Sequence, residues 1–541
     1  MEFATFADRA AAIEAEPADL EIVDHVRALL EDAADGDGGD PLILEIVARF
    51  VQGRVVPAWD STTLDIGPST CYEAIARAAG TNVSADDVED RLADRGEIGD
   101  VAASYDFGGQ QGLSAFTSGD AGAGGLTVRE VHETLVDLAA ADGSGSQDRK
   151  VDMLFGLFNQ CSSDEARYLA RLVLSEMRIG VGEGTVRDAI AAAFDVPVEN
   201  VERALQVTND YGEVARIALE EGLAGLDAVD LAVGRPVQAM LAQAGTVTDA
   251  LEEWDEAAVE WKYDGARIQL HHDPDGIETE TTADEAGATR VYYRNMDDVT
   301  AALPEVVEYA AETLEAPAIL DGEVVAVDEA GEPLPFQAVL KRFRRKHDVA
   351  KAREDVAVRP VFFDCLHADG EDLLEEPLVD RHDRLEAVLT ATEPDGVDPE
   401  AVDGLSLLWL TDDPDEIEAI DAEALESGHE GIMLKDPAST YSPGRRGKHW
   451  RKRKPDVETL DCVVTGAAWG EGRRATFLGT FELSVRAGDS LETVGKVATG
   501  ITDEQLAELT ALLEPHVASE DGQAVDVEPA VVFEVGYEEI Q

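Results

Sequence analysis

The residues with the clearest capacity for chemistry lie in one short segment, which carries the pattern KxDGxR after a strand-like run. Its lysine is Lys262 and its last residue is Arg267. A lysine amine is a weak nucleophile while it is protonated, and it becomes reactive where a neighbouring cation or desolvation favours the neutral form. Arg267 is placed to act as that cation. Lysine is also rare, with ten in the chain and none in the first 149 residues, so we interpret Lys262 as a nucleophile rather than as a surface cation.

Further segments rich in carboxylates, basic residues and aromatic rings follow in chain order. Carboxylates can hold a divalent cation, and fixed cations can stabilise negative charge on phosphates. In so acidic a chain an isolated Glu is usually a solvated charge, and an aromatic ring in an apolar strand is usually core, so only the joint pattern is informative. The segments are Tyr293-Arg294-Asn295, Asp321-Gly322-Glu323, Phe363-Asp364, Glu430-Gly431-Ile432-Met433-Leu434-Lys435 and Trp450-Arg451-Lys452-Arg453-Lys454.

Together with KxDGxR, these segments resemble the ordered motifs of the covalent nucleotidyltransferases, the superfamily of polynucleotide ligases and RNA capping enzymes. The resemblance implies that Lys262 is the catalytic residue and carries AMP, and that Phe363 stacks on adenine. It also implies that Glu323 and Glu430 serve a metal ion. The nucleotide-binding residues that it implies are Glu260, Arg267, Arg294, Glu323, Phe363, Lys435, Lys452 and Lys454.

Four other segments resemble the replicative ATP-dependent DNA ligases of archaea and eukaryotes. They are Phe336-Gln337, residues 341–346, and residues 177–186 and 234–242. The resemblance implies an enzyme that uses ATP and Mg²⁺ to seal 3′-hydroxyl/5′-phosphate nicks in duplex DNA during replication, repair and recombination. Lys262 would take AMP from ATP, the AMP would pass to the 5′-phosphate, and the 3′-hydroxyl would displace it. The alternatives are an RNA ligase and a non-catalytic nick-binding platform docked on a sliding clamp, and the preferred donor among ATP, ADP and NAD stays open.

Two basic runs stand out against the acidic background, and they are the candidate contacts to DNA phosphates. Residues 341–346 hold five basic residues in six, and residues 445–454 hold seven in ten. Because high salt removes much of the gain from counterion release, we also expect neutral backbone N–H groups near residues 178–184 to hold the duplex. The predicted DNA-binding residues are Lys341, Arg342, Arg344, Arg345, Arg445 and Arg446.

The charge of the chain is extreme, because 114 Asp and Glu against 43 Lys and Arg give a formal net charge of -71. Salt at 1 M shortens the screening length to about 3 Å and relieves this self-repulsion, which predicts a halophilic cytoplasm and, with the ligase resemblance, a halophilic archaeon. Apolar runs such as residues 318–320 and 361–363 argue against an acidic disordered protein. The four cysteines lack the spacing of a metal site. Neither a signal peptide nor a long apolar segment is recognised, so we expect a cytoplasmic monomer without a membrane anchor.

A change of residue pattern divides the chain near residue 240. Residues 1–240 are dominated by helical spacing, as in Ala166–Leu174, with a Gly-rich loop at residues 108–125, and the resemblance makes them an all-α DNA-binding domain. Residues 241–455 contain short strand-like runs and are predicted to form an α/β (α+β) nucleotidyltransferase domain. These runs are Ala258–Leu270, Ala318–Val327 and Val358–Leu366.

The last part of the chain, residues 456–541, has close-set strand-like runs interrupted by one helix. Thr502 and Gln505 are spaced as a capping box that would open this helix. Short strands with one helix fit a small β-barrel domain of the OB-fold type. The strand-like runs are Leu460–Trp469, Thr476–Val485, Glu492–Ala498 and Ala530–Val535.

The chain departs from the family pattern at two places. Tyr293 stands where the family usually has Ser, so only Arg294 and Asn295 of that motif are carried over. The basic sixth motif is not found before Gln541, and residues 535–541 resemble the strand that precedes it. Because an unfinished barrel would leave an unpaired strand edge, we expect the OB-fold domain to be incomplete and the chain to be a fragment rather than a naturally truncated enzyme.

Overall fold

The structure is a computed structural model, and the chain in it separates into two compact units, Met1–Arg453 and Lys454–Gln541. The residues that it describes are 1–60, 62–107, 125–141, 143, 145–277, 287–328, 330–343, 349–391, 398–453, 458–470, 477–487, 490–497, 503–521 and 524–537.

Helices form where apolar residues recur three and four positions apart in the first half of the first unit. They are α1 Phe3–Ala15, α2 Asp19–Asp35, α3 Pro41–Phe50, α4 Pro68–Ala79, α5 Ala85–Arg95, α6 Ile98–Ala102, α7 Val128–Ala139, α8 Ser146–Phe158, α9 Ser163–Val173, α10 Glu183–Ala193, α11 Val198–Thr208, α12 Tyr211–Glu220 and α13 Gly222–Asp227. The predicted helix at 166–174 is confirmed as α9, which begins with a capping box between Ser162 and Glu165 and buries Leu169 and Leu172. The buried faces of these helices share one apolar core.

Strands and helices alternate in the rest of the first unit. They are β1 Leu241–Ala244, α14 Val247–Trp254, β2 Ala257–Trp261, β3 Ala266–His272, β4 Thr289–Tyr293, α15 Pro304–Thr313, β5 Ala318–Val327, α16 Phe336–Phe343, α17 Val349–Asp355, β6 Ala357–Ala368, β7 Glu371–Asp372, α18 Leu378–Leu389, β8 Trp409–Thr411, α19 Pro414–Glu426, β9 Ile432–Lys435 and β10 Arg446–Arg453. One sheet has the order β1-β10-β9-β2-β8 and another has the order β4-β3-β5-β6-β7. Only the β1–β10 pair is parallel among the described strands of these sheets.

Each of these two sheets packs apolar side chains against helices. In the sheet built around β3 and β5, Leu320 and Phe362 share a core with Val306 of α15 and Leu385 of α18. In the sheet built around β2 and β9, apolar residues of both strands pack on Ile417 of α19. The ends of β2 and β3 are therefore held by independent cores, and the short loop between them carries Lys262.

The second unit is a separate sheet with one helix among its described residues. Its elements are β11 Glu458–Trp469, β12 Leu478–Ala487, β13 Ser490–Val497, α20 Asp503–Leu513, β14 Val517–Asp521, β15 Ala524–Val527 and β16 Val532–Tyr537. The strand order is β13-β12-β11-β15-β14, and β16 pairs with β11. The long strand β11 pairs with β16 along its first half and with β15 near its end. Buried Phe481, Leu506 and Val525 contribute to its core.

Several predicted elements are confirmed and others are corrected. The predicted strand at 318–327 is β5, and the run at 358–366 lies inside β6. The single run predicted at 258–270 is wrong, because Lys262–Gly265 divides it into β2 and β3. Residues 108–124 and Thr502 lie outside the described residues. Among the described helices, none is both long enough and apolar enough to cross a membrane.

Candidate active site

Strand pairing brings Lys262 next to Glu430. In the antiparallel β2–β9 pair, Trp261 lies opposite Ile432, so the residues just beyond these strand ends also face each other. The Lys262 N–H donates to the Gly431 carbonyl at 2.8 Å, and the Glu430 N–H donates to the Lys262 carbonyl at 2.9 Å. The Lys262 Nζ atom forms an ion pair with the Glu430 carboxylate. Backbone hydrogen bonds thus fix the relative position of the two side chains.

The loop that carries Lys262 passes very close to β5. A Cβ atom at Gly265 would lie 2.5 Å from the Val324 carbonyl oxygen, so a larger residue there would push the loop away from the strand. The Asp264 carboxylate accepts a hydrogen bond from the Phe336 N–H at 3.3 Å. Burial raises the pKa of Asp264, and the nearby Glu430 carboxylate adds to the rise. Asp264 and Gly265 therefore fix the path of the loop that carries Lys262.

Arg267 on β3 faces Glu323 on β5 in the antiparallel register. Its guanidinium donates to both oxygens of Asp321, at 3.0 and 2.6 Å, and to the Met240 carbonyl at 2.6 Å. Burial alone would lower the pKa of Arg267, but the charges and hydrogen bonds of its neighbours, Asp321 foremost, together raise it. Asp321 balances the charge of Arg267, and the Lys262 amine pairs with Glu430.

Glu323 lies among charges of both signs. Burial raises the pKa of its carboxyl group to about 8, while Arg267 and Lys262 oppose the rise and Asp321 and Glu430 add to it. A cation beside this group would favour the ionised form. Among the described residues, no cluster of three or more His, Cys, Asp or Glu side chains has the geometry to hold a metal ion.

Glu260 and Lys435 form a buried ion pair beside aromatic rings. The Lys435 Nζ lies 2.6 Å from Glu260 Oε2, and the two side chains are 1% and 2% exposed. Lys435 Nζ also lies 4.6 Å from the ring centroid of Phe363 and 4.2 Å from that of Trp450. Within the described part of the chain, Glu260 Oε1 lacks a hydrogen-bond partner, and the contact of Lys435 Nζ with Glu260 is an ion pair without a hydrogen bond. Burial raises the pKa of Glu260, although Lys435 opposes the rise.

Close contacts join most of the nucleotide-site residues predicted from the sequence. Arg267 Cζ lies 5.5 Å from the Phe363 ring centroid, so the Lys262 group and the Glu260–Lys435 group meet at Phe363. Lys452 lies on β10 opposite Met433 of β9 and is half-buried. Arg294 is exposed in the turn after β4, and the structure does not bring it into contact with this group. Lys454 lies outside the described residues.

Three residues that were not among the predicted site residues complete the surroundings of Arg267. The Tyr441 hydroxyl donates to Asp321 Oδ2 at 2.7 Å and accepts from the Met240 N–H at 3.0 Å. Arg267 Nη2 also donates to this hydroxyl at 3.3 Å. Asp321 and Met240 lie inside recognised segments, whereas no local pattern marked Tyr441. Tyr441 precedes β10 and Met240 precedes β1, and the pairing of β1 with β10 brings them together.

The predicted DNA-binding residues differ in their surroundings. Lys341 is exposed near the end of α16, and Arg446 is exposed on β10. Arg445 is 56% exposed and forms an ion pair with Glu202 of α11. Arg344 and Arg345 lie outside the described residues.

The prediction for Arg342 as a DNA contact is wrong in this structure. Its side chain is 1% exposed and pairs with both oxygens of Glu305, at 2.7 and 2.8 Å. It also donates to the Val356 carbonyl at 2.7 Å and to the Ala302 carbonyl at 3.0 Å. The helical spacing of α16 turns this residue of the basic run inward, where its charge supports the fold.

Three family models match successive parts of the chain. Residues 2–191 match the family described as DNA ligase N terminus, residues 239–454 match the ATP dependent DNA ligase domain, and residues 474–541 match the ATP dependent DNA ligase C terminal region. The DNA ligase of Haloarcula marismortui is 66% identical over 541 residues, which cover 100% of this chain and 93% of that protein. The DNA ligase of Haloferax volcanii is 62% identical over 573 residues, with the same two coverages of 100% and 93%.

A solved structure described as Pmar-Lig_PreS3 has a similar fold. It covers 96% of this chain and 97% of its own chain, with a TM-score of 0.55 and 14% sequence identity. At that identity the likeness concerns the fold alone. The family matches and the halophilic relatives show the family directly: the chain belongs to the ATP-dependent DNA ligases, with an N-terminal domain, a nucleotidyltransferase domain and a C-terminal domain.

Proposed function

We propose that this DNA ligase uses Lys262 as the nucleophile for nick sealing. The amine Nζ attacks the α-phosphorus of ATP, a P–N bond forms, and the bond to pyrophosphate breaks. The AMP then passes to the 5′-phosphate of a nick, and the 3′-hydroxyl displaces it to form the phosphodiester. The observation that carries the proposal is the β2–β9 register, which sets the Lys262 amine beside Glu430 and close to Glu323 and Arg267.

The proton on the Lys262 amine has to leave before attack. In this structure the amine is paired with Glu430, and an ion pair of this kind requires the charged amine. The role of the pair is then to hold Nζ at the end of β2 until the nucleotide is in place. The Glu430 carboxylate accepts a hydrogen bond from this amine, so the pair must open before the amine can attack.

The Glu260–Lys435 pair and Phe363 fit the nucleotide. A buried acceptor without a partner is costly, and an adenine amine would supply the missing donor to Glu260 Oε1. Phe363 is half-buried and offers a ring for stacking beside this carboxylate. We propose that Lys435 and Lys452 bind the phosphates of the nucleotide. For Arg294 and Lys454, the proposal that they bind the nucleotide rests on the motif resemblance alone.

The carboxylates also fit Mg²⁺. Magnesium is commonly held by one or two carboxylates together with substrate phosphates rather than by a complete protein cage. Glu323 and Glu430 are such a pair, and the absence of a three-ligand cluster among the described side chains agrees with a site that the nucleotide completes. When bound, the ion would neutralise charge on the phosphates and the leaving pyrophosphate.

We assign the finer architecture as follows. Residues 1–240 are an all-α DNA-binding domain, residues 241–455 are the nucleotidyltransferase domain and residues 456–541 are an OB-fold barrel. The helices α1–α13 support the first assignment, and the doubly paired strand β11 supports the last. We further propose a cytoplasmic monomer that binds nicked duplex DNA, with Lys341, Arg445 and Arg446 on its phosphates.

A labelling experiment tests the central step. The protein is incubated with α-labelled ATP and Mg²⁺ in molar KCl, and covalent label is counted after denaturation. Lys262→Ala should acquire no label, whereas Lys351→Ala, a matched change at an exposed lysine of α17, should label normally. Label on Lys262→Ala, or none on the unaltered chain, would contradict the proposal, and the second result would favour a nick-binding platform. Sealing of nicked duplexes with DNA or RNA strands separates DNA ligase from RNA ligase activity.

A further inference from the structure

The loop between α9 and α10, residues 174–181, has an unusual backbone. Ser175, Arg178 and Gly180 all have positive φ angles, of 55°, 46° and 79°. No described residue accepts a hydrogen bond from the backbone N–H groups of residues 177–181. The loop lines an open cavity of about 430 Å³ together with Gln52. Unpaired N–H groups at a cavity suit the oxygens of a sugar–phosphate backbone.

A non-glycine residue with positive φ is strained, so something must hold this loop in place. Arg171, in the last turn of α9, is the residue that the structure places behind it. Its side chain is 4% exposed. Its carbonyl accepts from the Glu176 N–H at 2.7 Å, and its Nη1 donates to the Met177 carbonyl at 3.3 Å. Arg171 therefore contacts the loop through both its backbone and its side chain.

The guanidinium of Arg171 is itself fixed by two carboxylates. It donates to both oxygens of Glu14, at 2.9 and 2.8 Å, and to both oxygens of Glu97, at 2.9 and 3.0 Å. Tyr168 donates to Glu14 at 2.9 Å. Glu14 belongs to α1 and Glu97 precedes α6. The Arg171 guanidinium therefore joins α1, α6 and α9 to the loop. A lysine could not make these bonds in the same geometry.

Two glycines allow this packing. A Cβ atom at Gly99 would lie 2.8 Å from Arg171 Nε. A side chain there would displace the Arg171 guanidinium without changing its charge. On the other side of the loop, a Cβ atom at Gly53 would lie 3.1 Å from Met177 Cβ. The loop is thus held from two directions.

We propose that Arg171 is a positioning residue that holds the 174–181 loop in the shape that binds the sugar–phosphate backbone of nicked DNA. This inference rests on the proposed DNA-binding function of the helical domain. Because the Arg171 side chain is buried, it does not itself contact the DNA. It acts by keeping the loop N–H groups ordered before the duplex arrives, which reduces the ordering cost of binding.

Arg171→Lys and Gly99→Ala test the proposal in the full chain in molar KCl. Both should weaken equilibrium binding of a nicked duplex by about tenfold or more at a temperature where the variant is fully folded, in line with the loss of about 1.4 kcal/mol of preorganisation. Sealing should show a raised KM for nicked DNA with kcat little changed. Self-adenylylation without DNA should be unchanged. Arg216→Lys, a charge-conserving change at another Arg–Glu cluster of the helical domain, is the control.

The outcomes separate this inference from the proposed function. If Arg171→Lys and Gly99→Ala lower the melting temperature but leave nick affinity equal to that of Arg216→Lys, Arg171 supports only the fold and the inference is overturned. Arg178→Glu reports on the loop itself, because its side chain is 65% exposed. If Arg178→Glu leaves affinity unchanged, the DNA-binding function of the loop fails as well. Loss of affinity in Arg178→Glu alone preserves that function and rejects the role of Arg171.

Discussion

The Nζ atom of Lys435 lies 2.6 Å from Glu260 Oε2, and both side chains are almost completely buried. Removing one partner of a buried ion pair leaves the other charge without compensation, which costs about 3–5 kcal/mol. We therefore predict that Glu260→Gln lowers the free energy of unfolding of the first unit by about this amount, as measured by chemical denaturation in fixed KCl.

The double variant Glu260→Gln with Lys435→Met separates folding from nucleotide binding. Removing both charges should recover much of the lost stability, because a buried pair often gives little net stabilisation. Self-adenylylation should stay low, since Glu260 and Lys435 are assigned to the nucleotide. Recovery of adenylylation together with stability would show that the pair is only structural.

The hydroxyl of Tyr441 joins Asp321, Met240 and Arg267 in one buried network. Tyr441→Phe should lower stability by about 1–3 kcal/mol, because it leaves a buried carboxylate oxygen and a buried N–H with one partner fewer. It should also slow self-adenylylation, because Arg267 loses part of its support. Tyr309→Phe is the control, since that hydroxyl donates to the Asp403 carbonyl at 2.7 Å on the surface. Equal rates of adenylylation in the two variants would count against this role.

The sequence was most informative where function constrains neighbouring residues. The KxDGxR pattern located the loop between β2 and β3, and the segment at 430–435 located its partner strand β9. The strand β5 was predicted at its observed bounds because two apolar runs, Ala318–Leu320 and Val324–Val327, flank the recognised segment Asp321-Gly322-Glu323. In these segments the local sequence pattern and the tertiary structure require the same residue types at the same positions.

Long-range contacts were not predictable from these patterns. Tyr441 reaches Asp321 across 120 residues, and no periodicity encodes that contact. Lys341 and Arg342 were both predicted to contact DNA, yet the turn of α16 buries Arg342 and exposes Lys341. The run at 445–454 was selected as a candidate DNA contact for its charge, and its residues Arg446–Arg453 form β10, which pairs with both β1 and β9. Pairing of distant strands, rather than local propensity, forms β10.

Acid should weaken the carboxylate cluster around Arg171. Burial alone would raise the pKa of Glu97, but hydrogen bonds from Arg171, Gly99 and Asp100, together with the charge of Arg171, lower it below the ordinary value of 4.5. Glu14 behaves in the same way. A carboxyl with a lowered folded-state pKa stabilises the fold fully above its unfolded value and loses this contribution as the pH falls through the folded value. The stability advantage of the unaltered chain over Glu97→Gln should therefore shrink as the pH falls below 4.5.

Denaturation curves of both proteins across this pH range, at constant KCl, measure that difference. Many carboxylates titrate together in so acidic a chain, so the comparison with Glu97→Gln is needed to isolate one of them. Asp87→Asn is a second reference, because its lowered pKa comes from an exposed capping bond with Ser84 and not from Arg171. A difference between the unaltered chain and Glu97→Gln that does not change with pH would contradict the prediction.

Lys341 and Arg342 are neighbours with opposite expected effects. Lys341→Ala should leave stability nearly unchanged, weaken binding of nicked DNA for all sequences, and reduce the slope of log affinity against log salt by about one. Arg342→Ala should destabilise the fold by about 3 kcal/mol or more, since it leaves Glu305 without its buried partner. At a temperature where it is still folded, its nick affinity and salt slope should match those of the unaltered chain. Titrating each variant with a nicked duplex at several KCl concentrations, beside a melting curve, distinguishes the two roles. A reduced salt slope for folded Arg342→Ala would mean that the arginine leaves Glu305 for a phosphate when DNA binds.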